Sequence, residues 1–205
     1  MARHSELVKI PRIDRYVTKL ALGTAPMGGW PATVAESDAE ATILAATDSG
    51  INYFDTAPLY GHGVAERRLG SGLNKSGKKF VISTKVGRVL NKVDPNNPVA
   101  DTSLSGFADK DPDVVPVFDF SREAILRSID ESLKRLKIDA VDIVYIHDAD
   151  DRIAEAISNS YPVLDELRSQ GVIKGIGVGM NYCAPSITAV KEMDLDIILI
   201  AGRFT

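Results

Sequence analysis

Three short apolar segments of the sequence each end in one ionisable residue: 51–55 in Asp55, 80–85 in Lys85 and 142–147 in His147. Tyr60 follows Asp55 by five positions, on a loop that Pro58 constrains. A carboxylate at the tip of a buried strand is costly unless a cation meets it. If the segments are neighbouring parallel strands, all four groups meet at one edge of a sheet. Such an edge would be an active site.

Each of the four residues also has an ordinary structural interpretation. Asp55 alone can cap a turn, and Tyr60 alone can pack its ring at a rim. Lys85 can end a strand in solvent, and His147 can be a hydrogen-bonded rim histidine. One shared sheet edge explains all four together, whereas the separate interpretations must each hold independently. We therefore favour the active site.

The rest of the chain alternates strand patterns with helix patterns. After a hairpin over residues 7–19, we predict six strands, at 20–23, 51–55, 80–85, 142–147, 173–178 and 196–200. Helices are predicted between successive strands. Segment 86–120 is rich in Pro, Asn, Asp and Gly, and we interpret it as a long functional loop that forms a lid or a pocket wall.

Local signals place the helix ends. Ser37 begins the capping-box pattern Ser-x-x-Glu, and Gly50 suits the end of the helix that this box opens. Ser121 is placed to cap a later helix. Pro162 is predicted to interrupt a helix over 152–170, because proline removes an amide donor and clashes with the preceding turn.

Alternating strands and helices predict a parallel sheet with right-handed crossovers. An open doubly wound sheet would need Gly-x-Gly-x-x-Gly after the first strand. Residues 23–28 lack the middle glycine, and the glycines of 175–179 do not open a helix. A closed barrel has its chemistry at the C-terminal strand ends, where the four residues fall. We therefore predict an α/β fold, a (β/α)8 TIM barrel of which this chain covers about the first six strands.

The strand count gives a further expectation about domain organisation. A barrel needs eight strands, and the sequence offers six. We expect residues 1–205 to be a single domain, made of the N-terminal hairpin and strands 1–6, with strands 7 and 8 missing. The chain would then be the N-terminal portion of a longer protein.

Composition narrows the function classes. The net charge of −4 includes no basic stripe for nucleic acid and no polybasic membrane tail. Neither a leader-like start nor a long apolar run is present, so we expect a cytoplasmic protein that does not enter a membrane. The single cysteine, Cys183, cannot form an internal disulfide or a zinc cluster, and no metal site is predicted.

Several segments together resemble the signature segments of the aldo-keto reductase superfamily: Phe-Asp-Thr-Ala at 54–57, Tyr-Gly at 60–61, Ser-Thr-Lys-Val-Gly at 83–87 and Ile-His-Asp at 146–148. The resemblance runs from about residue 20 to the last residue. Members are nicotinamide-dependent oxidoreductases on a barrel, with an Asp-Tyr-Lys-His tetrad. Segments 117–121 and 176–181 are similar to the branch of sugar and pyridoxal dehydrogenases.

The resemblance implies a role for each tetrad residue. Tyr60 would give or take the proton at the substrate oxygen, and Lys85 would lower the pKa of Tyr60 by roughly 1–3 units. Asp55 would keep Lys85 charged and aimed. His147 would donate a hydrogen bond to the substrate oxygen and set its position.

It also implies softer assignments around the tetrad. Cofactor contacts are expected from Asp55 and from three residues at strand ends: Gly23, Thr24 and Asn181. Asn181 lies one place later than the asparagine of many members. Substrate contacts are expected from Tyr60 and His147, and from Met27 and Trp30 on the first loop, for which a surface or packing role is an equal alternative. The cofactor would be NAD or NADP, and the sequence does not distinguish the two.

The resulting hypothesis is an NAD(P)-dependent oxidoreductase that transfers hydride between nicotinamide and a small carbonyl, alcohol or sugar. Oxidation of a fucose-like aldose to its lactone is the favoured reaction. Two alternatives stay open at this point. One is a non-catalytic nucleotide-binding or regulatory subunit on the same barrel, and the other is an inactive fragment that lacks the cofactor clamp.

Overall fold

The computed structural model describes residues 4–94 and 106–202, and the structural statements below concern these residues. An N-terminal hairpin is formed by β1 (Leu7–Ile10) and β2 (Arg15–Thr18), which pair antiparallel. The predicted hairpin over residues 7–19 is therefore confirmed. A one-turn 3-10 helix, Ala25–Gly28, then follows the first strand of the main sheet.

The main sheet has six strands, all parallel: β3 (Leu22–Gly23), β4 (Tyr53–Asp55), β5 (Val81–Val86), β8 (Ile143–His147), β9 (Gly175–Met180) and β10 (Ile197–Ile200). Their order across the sheet is the order in which they occur along the chain. This is the topology of consecutive strand–helix units of a (β/α)8 barrel, so the predicted fold class is confirmed.

Helices connect the strands: α1 (Glu36–Asp48), α2 (Val64–Ser76), α3 (Arg122–Leu136), α4 (Ile153–Glu155), α5 (Tyr161–Ser169) and α6 (Cys183–Glu192). The larger apolar core lies between these helices and the sheet. A smaller core joins the hairpin residues Ile10, Ile13 and Val17 to side chains on the other face of the strands. The hairpin therefore closes the N-terminal end of the barrel interior.

Three of the local signals hold in the structure. The Ser121 hydroxyl accepts a hydrogen bond from the amide of Ala124 and caps α3 as predicted. The break predicted at Pro162 is a π-type turn over Ala156–Ser160, and the proline lies in the first turn of α5. Gly50, with φ 86°, follows the end of α1.

The capping box predicted at Ser37 is wrong. Helix α1 begins one residue earlier, at Glu36, with Ala35 in the N-cap position and no side-chain cap. Ser37 thus already lies inside the helix. A tertiary contact favours the earlier start, because the Glu36 carboxylate accepts a hydrogen bond from Arg68 at 2.8 Å.

The prediction of one long loop over 86–120 is wrong in part. Its two ends pair as an antiparallel ladder of β6 (Arg88–Lys92) and β7 (Val114–Phe118). Residues 95–105 lie outside the described part of the chain. Residues 106–113 cross the C-terminal edge of the sheet, where Phe107 packs 6.1 Å from the Tyr60 ring.

Candidate active site

Asp55, Lys85 and Tyr60 form one continuous chain of hydrogen bonds at the C-terminal edge of the sheet. Lys85 Nζ lies 2.5 Å from Asp55 Oδ2 and 3.0 Å from Tyr60 Oη. It also donates to the carbonyl oxygen of Thr56 at 2.9 Å. Strands β4 and β5 are direct neighbours, which places the carboxylate and the ammonium side by side. The sequence-based expectation that these groups meet is therefore seen in the geometry.

The three contacts of Lys85 account for the three hydrogens of an ammonium group. The lysine therefore has no hydrogen left for a ligand, and it acts as a fixed positive charge. Within the described part of the chain, Tyr60 Oη accepts from Lys85 and donates to no protein group. Its own hydrogen is consequently available to a molecule bound in front of it.

Burial and charge act on these two groups in opposite senses. Burial alone lowers the pKa of Lys85, but the Asp55 charge and the two hydrogen-bond partners outweigh it and raise the pKa above its ordinary value. Lys85 is thus an ammonium at neutral pH. For Tyr60, burial raises the pKa, and the lowering by Lys85 does not compensate for it. The predicted net lowering of the Tyr60 pKa is therefore wrong, although Lys85 acts with the expected sign.

His147 stands on the other side of the phenol. Its ring meets the Tyr60 ring edge to face, with 5.6 Å between the centroids. Burial and the charges of Lys85 and Arg88 hold the pKa of His147 well below its ordinary value. The imidazole is therefore neutral and carries one N–H. Nδ1 is buried and has no hydrogen-bond partner among the described residues.

Asp148 links His147 to the outer rim. Its backbone is left-handed, with φ 48°, an uncommon conformation outside glycine and asparagine. Its carboxylate accepts a hydrogen bond from Arg88 at 2.8 Å and another from Asn181 Nδ2 at 3.0 Å. His147 Nε2 lies 3.7 Å from the same carboxylate. The Asp148 carboxylate therefore joins Arg88 and Asn181 at the rim by hydrogen bonds, whereas neutral His147 only lies near it.

These side chains line a cavity of about 400 Å³. The polar part of its wall consists of Tyr60, Lys85, His147, Asp148 and Asn181. The apolar part comes from loops and strand ends: Ala25, Trp30, Leu59, Phe107, Met180, Leu199 and Ala201. A cavity with apolar walls and a few convergent polar groups is typical of small-molecule sites.

The predicted residues around the tetrad divide into two groups. Trp30 and Asn181 line the cavity, and Trp30 is 55% exposed. Met27 instead lies in the apolar core at 5% exposure, with its carbonyl oxygen bonded to Arg68. Gly23 is paired with Asp55, and the amide of Thr24 donates to the carbonyl oxygen of Asp55 at 2.9 Å. Neither Gly23 nor Thr24 is part of the cavity wall.

Sequence reasoning missed Phe107 and the rim role of Asp148. Asp148 adjoins His147, so its position was visible, but the left-handed backbone that turns its carboxylate toward Arg88 was not. Phe107 lies within a Gly- and Asp-rich segment, where no periodic pattern assigns a side chain to a wall. Only its contact with Tyr60 shows what it does.

Arg68 holds in place the two loops that form part of the apolar wall of the cavity. From helix α2, its guanidinium donates to the carbonyl oxygens of Met27 and Val34, at 2.6 and 2.9 Å. It also donates to the carboxylates of Asp109 and Glu36, at 2.9 and 2.8 Å. These contacts join the loop that carries Trp30 to the loop that carries Phe107.

The fold and the site together point to a known protein family. The Aldo/keto reductase family profile matches residues 19–205, and the chain therefore belongs to this family. The chain is 38% identical to pyridoxal 4-dehydrogenase of Microbacterium luteolum, with 98% of this chain and 63% of the relative covered. It is also 38% identical to D-threo-aldose 1-dehydrogenase of a Pseudomonas species, with 92% and 58% covered.

Solved structures agree with this assignment. A glycerol dehydrogenase from Gluconobacter oxydans superposes with a TM-score of 0.72 at 29% identity, covering 96% of this chain and 55% of the neighbour. The chain thus spans about six-tenths of the length of the two curated relatives named above. No helix among residues 4–94 and 106–202 is long and apolar enough to cross a membrane. The same residues contain no cluster of three or more metal-ligating side chains.

The residues present fit a nicotinamide ring. Gly179 lines the cavity without a side chain beside Lys85, which leaves a flat surface for a planar ring. Asn181 lies on the wall of the cavity, and its Nδ2 donates hydrogen bonds to Asp148 at 3.0 Å and to Asp150 at 3.2 Å. The Thr24 hydroxyl, at the end of β3, is buried and has no partner among the described residues. Thr24 is fully buried and does not line the cavity, so its hydroxyl is not counted as a contact to the ring.

Proposed function

We propose that the protein is an NAD(P)-dependent oxidoreductase that interconverts a hydroxyl and a carbonyl group on a small polar molecule. One observation carries the proposal: Tyr60 Oη accepts from Lys85 at 3.0 Å and has its own hydrogen available beside a neutral His147 in one cavity. A small-molecule substrate and a cytoplasmic location are part of the same proposal.

The residues act in defined ways on a carbonyl substrate. Tyr60 gives its proton to the substrate oxygen as the carbonyl is reduced, and takes it back in the reverse direction. The fixed charge of Lys85 stabilises the phenolate that is left. His147 donates its single N–H to the substrate oxygen and holds it in place. The nicotinamide, when bound, supplies or accepts the hydride.

The relatives and the cavity support one substrate class within this proposal. We propose an aldose, oxidised at its anomeric carbon. The C1 hydrogen leaves as hydride, the C1 hydroxyl proton passes to Tyr60, and the new C=O bond makes a lactone. The printed names of two relatives, a pyridoxal and an aldose dehydrogenase, support a small polar substrate. Trp30 and Phe107 provide apolar faces against which the C–H face of a sugar can pack.

The decisive experiment is a turnover assay that follows the absorbance of reduced nicotinamide, with NAD and NADP supplied separately. Aldoses, pyridoxal and simple aldehydes form the substrate panel. We expect turnover with at least one of them. Tyr60→Phe should reduce it by roughly 10²–10⁴-fold, because the proton donor is lost. Tyr16→Phe removes an exposed phenol on the hairpin and is the matched control.

The outcomes separate the proposal from its competitors. Equal turnover in the wild type and Tyr60→Phe would contradict the assigned proton donor. Binding of either nucleotide without turnover of any substrate would favour the non-catalytic binding subunit. The cofactor that gives the larger kcat/KM identifies the nucleotide preference.

A further inference from the structure

A second layer of polar side chains lies directly beneath the tetrad, inside the barrel. Side chains alternate between the two faces of a strand, so residues two apart share a face. Asp55 therefore shares the interior with Tyr53 on β4, and Lys85 shares it with Ser83 on β5. On β8, Tyr145 lies below His147 in the same way. The strand faces toward the helices are instead apolar at most positions.

The hydroxyl groups of this layer are hydrogen-bonded in series. Tyr145 Oη lies 2.8 Å from Tyr53 Oη. Tyr53 Oη lies 3.1 Å from Ser83 Oγ, which lies 2.6 Å from Asp55 Oδ1. All four residues are buried, with at most 9% of the whole residue exposed. The series is thus continuous from the barrel interior to the Asp55 carboxylate.

Counting hydrogens fixes the direction of every bond. An ionised carboxylate only accepts, so Ser83 must donate its single hydrogen to Asp55. Ser83 then accepts from Tyr53, which has spent its own hydrogen and must accept from Tyr145. Burial raises the pKa of both tyrosines, so both stay protonated donors at neutral pH. All the hydroxyl dipoles consequently point toward Asp55.

The sequence makes room for this layer. Gly177 is opposite Tyr145 in the register of β8 and β9. A Cβ atom at Gly177 would lie 2.5 Å from Tyr145 Cδ1 and 2.6 Å from Cε1. Glycine at this position therefore allows the Tyr145 ring to lie flat against β9. The glycines of 175–179, which did not fit a nucleotide-binding turn, thus have a local explanation.

We infer that Ser83, Tyr53 and Tyr145 form a one-way hydrogen-bond chain that holds the Asp55 carboxylate against Lys85 and thereby tunes proton transfer at Tyr60. The three are positioning residues, since none of them lines the cavity. The inference rests on the proposed function, because Tyr60 is its proton donor. It adds a control layer beneath the tetrad.

The sign of the effect follows from the charges that face Tyr60. Lys85 lowers the pKa of Tyr60, whereas Asp55 and Asp148 raise it, and neutral His147 packs on the ring. The hydrogen bond from Ser83 disperses the Asp55 charge and fixes Oδ2 on Lys85. Without this hydrogen bond, the negative charge of Asp55 is less dispersed and acts more strongly on Tyr60. The Lys85 ammonium is also held less firmly against the phenol. Both changes raise the pKa of Tyr60.

The test titrates Tyr60 directly, by the chemical shift of tyrosine labelled at Cζ, with the resonance assigned by its loss in Tyr60→Phe. Ser83→Ala should shift the Tyr60 titration upward by roughly half a pH unit to one unit. Tyr53→Phe should shift it less, and Tyr145→Phe least. Ser83→Thr retains the hydroxyl and should restore the wild-type value. The pH profile of turnover should move in the same order.

Thr84→Val is the matched control. Thr84 is the next residue of β5, equally buried, but its hydroxyl donates to Glu66 on the opposite face of the strand. The Thr84→Val variant removes a buried hydroxyl that makes no contact with Asp55. We therefore expect no shift in the titration of Tyr60. Equal shifts in Ser83→Ala and Thr84→Val, or no graded shift along the series, would overturn the inference. If Ser83→Ala does not fold, the graded pair Tyr53→Phe and Tyr145→Phe decides alone.

The titration also separates this inference from the proposed function. A graded shift of Tyr60 with no turnover of any substrate would retain the hydrogen-bond chain and reject the oxidoreductase. Turnover that depends on Tyr60, with a titration unaffected by Ser83→Ala, would retain the enzyme and reject the chain.

Discussion

Two of the buried cations near the cavity, Lys85 and Arg68, make different kinds of contact. Lys85 is 1% exposed and donates to a carboxylate, a carbonyl oxygen and the phenol of Tyr60. Arg68 is 9% exposed and donates to two carboxylates and two carbonyl oxygens on three segments. The lysine thus has the phenol of the proposed proton donor among its acceptors. All of the arginine's acceptors are groups that hold loops and a helix in place.

The difference shows why each position suits its residue type. A lysine is a compact charge on a flexible stem, which can be aimed at one phenol from a strand end. An arginine has five donors in a planar fork, which can join several acceptors at once. Both cations cost free energy to bury and both are compensated by carboxylates. Of the two, only the lysine contacts the phenol of Tyr60, the group to which the proposed function assigns proton transfer.

The largest expected effect on turnover comes from removing the charge of Lys85. Lys85→Met keeps the stem but removes the charge that stabilises the phenolate of Tyr60. We expect kcat to fall by roughly 10²–10⁴-fold, with a smaller change in KM. Steady-state turnover of the preferred aldose measures both constants. The variant leaves Asp55 without its cation, so the fold is checked by circular dichroism.

A double variant, Asp55→Asn with Lys85→Met, provides the control for that unpaired carboxylate. It removes both charges of the pair, so it should regain stability relative to Lys85→Met while staying inactive. Recovery of turnover in the double variant would contradict the role assigned to the lysine.

Removing the charge of Arg68 should affect stability and KM more than kcat. Arg68→Met removes all four donated hydrogen bonds and leaves Asp109 without its buried cation. We expect the free energy of unfolding to fall by about 3 kcal/mol, measured by urea denaturation. Because the walls that carry Trp30 and Phe107 are loosened, KM should rise more than kcat falls. Arg68→Lys should give an intermediate result, since one ammonium cannot reach all four acceptors.

A loss of kcat in Arg68→Met as large as that in Lys85→Met would erase the distinction between the two cations. It would mean that the wall positions the reacting groups themselves.

The comparison also explains what the sequence could predict. Asp55, Lys85 and His147 were predictable because parallel strands must bring their C-terminal ends to one edge, whatever the loops do. Arg68 was not, because it lies on a helix with no unusual pattern and its acceptors, two carboxylates and two backbone carbonyl oxygens, lie far away along the chain. Ser83 was read only as part of a family motif, since its partner Tyr53 lies on another strand.

Two errors have the same physical origin. The helix start was misplaced at Ser37 because a tertiary contact, Arg68 with Glu36, outweighs a local capping pattern. The lowering of the Tyr60 pKa was predicted from its neighbour Lys85 alone, and burial outweighs that neighbour. In both cases a prediction from neighbouring residues failed because a tertiary effect, which depends on how the rest of the chain packs, was larger.

The raised pKa of Tyr60 gives a prediction for the pH dependence of turnover. Carbonyl reduction needs the protonated phenol, so its rate should stay level through neutral pH and fall only at alkaline pH. Oxidation needs the phenolate, so its rate should rise with pH, by up to about tenfold per pH unit below the pKa. Initial rates in both directions across the pH range measure this. Oxidation that is fastest in acid would contradict Tyr60 as the proton acceptor.

The smallest expected effect concerns His147 and stability. Lys85 and Arg88 help to hold its folded pKa well below its ordinary value, whereas in the unfolded chain it titrates near about 6.5. Below that pH the unfolded state binds the proton and the folded state does not. The contribution of His147 is therefore fully present above about pH 6.5 and is lost as the pH falls, by at most about 1.4 kcal/mol per pH unit.

His147→Asn removes this titration and isolates it. The difference in the free energy of unfolding between wild type and variant, measured by urea denaturation, should become less favourable to the wild type as the solution is acidified below about pH 6.5. A flat His147→Asn difference would mean that the folded and unfolded states bind the proton of His147 equally. The charges of Lys85 and Arg88 would then not be acting on it as the geometry indicates.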